Sequence, residues 1–300
     1  MIAIRGDGRR RREAGRVAAV GGVIGVVLGV VLGLIPGAGP ARGQESVGLE
    51  YPLSVAVAED ALLVADRQLP GIWRIASGRP AVFFRGEKRF RTPLNAVRSV
   101  AVARDGGVYA ADSATRDVHR VGADGKTVPL TGGKIGIPVD IAFAKSGDMY
   151  VSDLETQSVW RVPAAGGEPV RLAGLAAPRG LFVDASDRLW AVAASGEAPL
   201  VRIAADGGIE PVVKTRAFEF PHDVVVLDGP GGPVAIVSDN YARTLWRVAA
   251  DGSVAAWVAG APLVGPVGLA VDGADVLVAD PQARTIFRVK ADGRPTPVIE

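Results

Sequence analysis

Short apolar runs alternate with turns rich in Gly and Asp from about residue 49 to the end of the chain. Runs such as PVDIAF, MYVSD and SVWRV are too short for helices and rich in strand formers, so the pattern predicts β-strands with no helical period between them. One stretch shows the full unit. Residues 138–143 read as a first strand and Ser146-Gly147-Asp148 as a turn. A second strand over 149–152 ends at Asp153, and a polar loop leads to a third over 158–162. Ala164 to Gly167 form another turn before a last strand over 169–172. Asp124-Gly125, Asp206-Gly207, Asp251-Gly252 and Asp292-Gly293 match the hairpin dipeptide that accepts positive φ at both central positions.

The unit recurs. An Asp ending an apolar run is followed eight residues later by an Arg at Asp66/Arg74, Asp112/Arg120, Asp153/Arg161, Asp239/Arg247 and Asp280/Arg288. The Asp-to-Asp steps are 46, 41, 86 and 41 residues, and the long step hides a sixth, degenerate copy with Ala193 and Arg202. Six copies of four antiparallel strands predict an all-β, six-bladed β-propeller, because blades stacked in a ring bury their faces and protect their edges. The recurring Asp would accept backbone N–H groups at a strand end. Its Arg would pair with it or with a neighbouring carboxylate. The residue before each Arg is Trp73, His119, Trp160, Trp246 or Phe287, a column expected to pack between blades.

The first 43 residues do not share this pattern. A cluster of Arg at positions 5 to 16 precedes an uncharged stretch over 17–41 and small residues at Gly39-Pro40-Ala41 and Ala41-Arg42-Gly43. That layout predicts a signal peptide over 1–43 and a propeller over 44–300; an uncleaved anchor helix over 17–35 is the alternative. Either reading places the propeller outside the cytoplasm, secreted or periplasmic. Residues 44–300 carry 27 basic and 30 acidic groups, so the basic character of the whole chain belongs to its leader and no nucleic-acid partner is implied. There is no cysteine, so stability rests on the core.

The motifs PRGLFVD, PVGLAVDGADVLVAD and TIFRVKADG resemble NHL-repeat propellers and the broader gluconolactonase-like (SMP-30-like) superfamily. The resemblance implies the six-bladed fold over about residues 49–300. It also implies a divalent metal held in the ring by a glutamate, asparagines and an aspartate. This chain has no Glu near Ser54 and only two asparagines, Asn95 and Asn240.

Residues that break the repeat are the candidates for function. The first strands should ring the channel at Ser54, Ser99, Asp140, Gly180, Asp223 and Gly268, preceded by Leu53, Arg98, Val139, Arg179, His222 and Val267. Asp140, Asp223 and Asn240 are candidate ligands for a hard cation such as calcium, with His222 as the candidate acid or base. In the rival reading, no cofactor is held and Asp140 and Asp223 offset Arg98 and Arg179. Arg98, Arg179 and Tyr241, with Phe84 and Arg89 from the aromatic and cationic segment 83–91, are candidate ligand-binding residues. A second aromatic and cationic segment spans 214–220. Two His and no Cys argue against zinc and against a His-ligated lyase. The reading is an exported binding or scaffolding module, a monomer, that takes a protein, peptide or glycan on its channel-mouth face. A metal-dependent hydrolase or lactonase, or an extracytoplasmic lyase, is the alternative.

Overall fold

The computed structural model describes residues 48–165, 167–229 and 231–299. The signal peptide expected over 1–43 and the alternative anchor over 17–35 lie outside the described residues. Among those described, no helix is long and apolar enough to cross a membrane.

The chain folds into six four-stranded antiparallel sheets, each a meander in sequence order. Blade one is β1 (Pro52–Val57), β2 (Leu62–Asp66), β3 (Gly71–Ala76) and β4 (Arg79–Arg85). Blades two to six repeat it as β5–β8 over residues 97–129, β9–β12 over 138–174, β13–β16 over 178–213, β17–β20 over 221–259 and β21–β24 over 269–297. First strands of neighbouring blades touch all the way round, including β1 against β21, so they line the channel. Apolar clusters fill the gaps between successive blades, for example Leu63, Ile72, Leu94 and Val100 between blades one and two. Leu49, Val55 and Leu62 pack on Leu277 and Ile286 where the ring closes. Residues 50 and 51 donate their N–H groups to Asp66 at 2.8 and 3.0 Å and add no strand to the last blade. Blade six therefore draws all its strands from the C-terminal end, and closure rests on packing.

Each repeated Asp is a clip. Asp153 accepts Gly136 N and Ile137 N from the segment entering its blade, and Glu155 N, Thr156 N and Thr156 Oγ1 from its own turn. The indole N–H of Trp160 donates to it at 3.1 Å, as Trp73 does to Asp66 and Trp246 to Asp239. His119 fills the aromatic column in blade two through Thr115 Oγ1, which donates to Asp112 and lies 2.8 Å from His119 Nε2. The arginines do not reach these aspartates, because strand register sets Arg74 beside Leu63 rather than Asp66. Three of them pair towards the opposite face, Arg74 with Asp60, Arg120 with Asp105 and Arg288 with Asp272 and Asp275, while Arg247 donates to Ala291 O. In the Asp-Gly turns only the glycine takes positive φ, at 76° for Gly125 and 83° for Gly252. The Asp instead accepts the N–H two residues on, as Asp124 does from Lys126 and Asp251 from Ser253, a local bond that needs no left-handed Asp.

Candidate functional site at the channel mouth

Where the first strand enters a blade, its ladder skips a residue. The register shifts between Pro52 and Ser54, Val97 and Ser99, Pro178 and Leu181, and Pro221 and Asp223, and Val139 is skipped between Pro138 and Asp140. A bulge re-aims the side chain of the extra residue and is common next to binding sites. Here the bulged positions include Arg98, Arg179 and His222, the residues at the mouth. One residue deeper, Ser54, Ser99, Asp140, Gly180, Asp223 and Gly268 form the ring expected from the repeat. They narrow the channel to a cavity of about 20 Å³ that Arg98 and His222 also line. Beyond the ring, towards the opposite face, the channel widens to about 420 Å³ between apolar first-strand residues.

The ring is a belt of bonds between blades. Ser99 Oγ donates to Asp140 Oδ1 at 2.6 Å and Leu181 N donates to Asp140 Oδ2 at 2.7 Å, so Asp140 joins blades two, three and four. Asp223 accepts Val224 N and, from blade six, Leu269 N, both at 2.7 Å. It lies over Gly180, where an added Cβ would sit 2.0 Å from its Oδ1. Ser54 Oγ meets Ser99 Oγ at 3.5 Å and accepts Val100 N at 3.3 Å, linking blade one to blade two. Burial pushes the Asp140 carboxyl up to about 6 against the bonds from Ser99 and Leu181. Burial and then the charge of Asp140 raise Asp223 well above the ordinary carboxylate range. The pair favours holding a proton.

The arginines above the belt are left unneutralised. Arg98 donates to Ser113 Oγ at 3.3 Å, and neither Arg98 nor Arg179 forms an ion pair among the described residues. The expectation that Asp140 and Asp223 offset them is corrected: the carboxylates lie one residue deeper and are committed to the belt. Burial, then Arg67, lowers the pKa of Arg98; burial, then Arg98, lowers that of Arg179. Arg179 lies over the Phe220 ring at 4.6 Å, and Phe220 stacks on Tyr241 at 4.7 Å and 18°. The Nε of Arg179 is buried with no hydrogen-bond partner. His222 keeps an accessible edge at the mouth. Burial, then Arg179 and Arg98, pushes its pKa down to about 3. It is therefore neutral through the physiological range and poorly matched to general acid work.

The remaining candidates separate. Asn240 does not line the ring cavity; its amide lies against Gly265, beside Gln282. Phe84 is corrected from ligand contact to core, since it is 9 % exposed between blades one and two. Arg89 is exposed on the 86–96 loop beside Glu87 at 3.5 Å. The candidate ligands do not form a divalent-cation site: Asn240 lies away from the ring cavity that holds Asp140 and Asp223, and among the described residues no group of three or more His, Asp or Glu is placed to hold a metal. Phe220, the platform under Arg179, was missed as a site residue, although the 214–220 segment had drawn attention to it.

No protein-family model and no curated protein sequence matches the chain. Solved structures do. A virginiamycin B lyase from Staphylococcus aureus aligns at 16% identity over 84% of this chain and 85% of that chain, with a TM-score of 0.63. A gluconolactonase from Xanthomonas campestris aligns at 18% identity over 78% and 85%, with a TM-score of 0.65. A protein from a nidogen/laminin complex aligns at 15% identity over 76% and 89%, also with a TM-score of 0.65. The likeness establishes the fold, a six-bladed β-propeller, and that fold serves unrelated activities.

Proposed function

We propose that this protein is a binding module, working outside the cytoplasm, that holds an acidic group of a peptide or glycan at its channel mouth. One observation carries the reading: Arg98 and Arg179 converge there with no carboxylate between them, beside a neutral His222. Uncompensated, partly buried charges are costly, and groups perturbed by burial and by like charges cluster at functional sites. A ligand carboxylate would supply the missing counter-charge through planar, paired N–H donors. The Arg179–Phe220–Tyr241 stack offers a flat apolar surface beside it, suited to a sugar ring or an aromatic side chain.

Calorimetric titration with a glutamate-rich peptide and with oligogalacturonate, each against its neutral amide, tests the reading. At least one acid should bind and its amide should not. Arg98→Gln combined with Arg179→Gln should weaken binding about tenfold or more, the loss of charge-assisted bonds. Equal binding of acid and amide, or an indifferent double variant, would overturn it. The hydrolase or lyase alternative rests on fold likeness. A rise of several degrees in melting temperature on adding calcium, reversed by EDTA, would favour it instead.

A further inference from the structure

We infer that the rim of the mouth face docks on a bilayer surface rich in anionic phospholipid, through two loops on opposite sides of the ring. This goes beyond the ligand reading, since it uses the rim rather than Arg98 and Arg179. The 86–96 loop joins blades one and two, and the 214–220 loop joins blades four and five. In a ring of six these junctions are three blades apart in either direction.

The first loop is built to present its tip. Gly86 N donates to Pro70 O at 2.9 Å. Thr92 Oγ1 donates to Glu87 O and Arg89 O, and Asn95 Nδ2 donates to Arg89 O at 2.8 Å. Leu94 anchors the loop, fully buried between blades one and two. Held by this frame, Phe90 is 86 % exposed, with the Arg91 guanidinium 5.2 Å from its ring and Lys88 and Arg89 exposed beside it. Across the ring, Tyr241 is 67 % exposed on its Phe220 platform, and the loop that carries Phe220 exposes Lys214, Arg216 and Glu219.

A small ligand cannot touch both edges at once, whereas a plane can. Aromatic tips flanked by Lys and Arg suit the headgroup layer of an anionic bilayer, where the ring settles at the interface and each cation adds attraction. Charge also sets the orientation. On the opposite face the acids Asp60, Asp105 and Asp275 are paired with Arg74, Arg120 and Arg288, whereas among the described residues Lys88 and Arg91 on the rim form no ion pair. The rim therefore offers the cations that an anionic bilayer would meet, and the propeller lies mouth-down.

The chain has no cysteine, so single labels are clean. An environment-sensitive fluorophore on Phe90→Cys, Tyr241→Cys or Lys290→Cys, each in the full chain, reports which face meets lipid. With phosphatidylcholine vesicles containing phosphatidylglycerol, the first two should shift to the blue and the third should not. With pure phosphatidylcholine none should shift, and salt should abolish the signal. Lys88→Glu combined with Arg89→Glu should lower vesicle partitioning about tenfold at unchanged melting temperature. The Arg98/Arg179 double variant should still dock, which separates this inference from the ligand reading. A silent label at position 90, equal response to neutral vesicles, or a rim variant that binds like wild type would overturn it. Docking on an acidic protein instead of lipid would show as a label shift with that protein and none with vesicles, and would also overturn it.

Discussion

Asp153 and Asp140 belong to the same blade, and both accept backbone N–H groups, yet they titrate in opposite directions. Burial pushes the Asp153 carboxyl up, but the bonds from Thr156, Gly136 and Ile137 outweigh it and leave the group below its ordinary range. Asp140 has two strong donors, Ser99 and Leu181, and faces a second carboxylate in the same cavity. Burial then wins and the group rises to about 6. Donor number against desolvation decides the sign. Asp153 is a charged clip, while the two aspartates in the channel are a brace that favours holding a proton.

The largest test removes a clip. Asp153→Ala leaves Gly136 N and Ile137 N without their acceptor and takes one of two acceptors from the Trp160 indole. It should cost about 3–5 kcal/mol in urea unfolding. Asp153→Asn should cost nearly as much, because an amide turns a donor towards donors. Asp140→Asn and Asp223→Asn should cost far less, since those carboxyls already favour a neutral form. Equal losses at positions 140 and 153 would erase the distinction.

A smaller effect separates the brace from its histidine. An acid whose folded pKa lies above its unfolded value stabilises the fold at low pH and loses that contribution as pH rises. For Asp140, raised from 3.8 to about 6, the loss falls between those values. His222 acts in the other direction. Its folded pKa of about 3 lies below the unfolded 6.5, so its contribution is present above 6.5 and is lost as pH falls towards 3. Asp223, also raised, adds to the slope of Asp140, and His222 opposes both between about pH 4 and 6, so the wild type should lose stability with rising pH more slowly than the two carboxylates alone dictate. Asp140→Asn with Asp223→Asn should expose a stability that climbs with pH, and His222→Asn one that falls. Unfolding free energies at several pH values decide the matter; the same slope in both variants would mean that neither group titrates as its surroundings require.

Much of this contrast was legible in the sequence. Recurrence at 41 to 46 residues gave the blades and the clip, and departure from recurrence gave Asp140, Asp223, His222, Arg98 and Arg179. What recurrence could not show is depth. Positions 98 and 99, or 222 and 223, look adjacent, but a bulge sends one to the mouth and leaves the other in the belt. The neutralisation expected between Arg98 and Asp140 failed for that reason. Phe84 misled because Phe83 and Phe84 alternate across an outer strand. Phe84 points into the core beside Leu94, and nothing in the local sequence says which of the two does so. Asn240 follows a clip aspartate, and its reach towards Gly265 depends on a neighbouring blade.

The smallest effect concerns the layer above the brace, where charge is present without a partner. The charge of Arg98 depresses Arg179, and both depress His222. Removing one positive charge should relieve that repulsion, so Arg98→Gln should raise stability by up to about 1 kcal/mol in the absence of ligand. It should also move the His222 pKa upward, visible by NMR, because one of the two charges holding it down is gone. The same substitution should weaken an acidic ligand, giving a trade between stability and binding that a structural arginine would not show. If Arg98→Gln instead destabilises the fold and leaves His222 unmoved, the mouth arginines are scaffold, like the strand-three arginines that pair with acids on the opposite face.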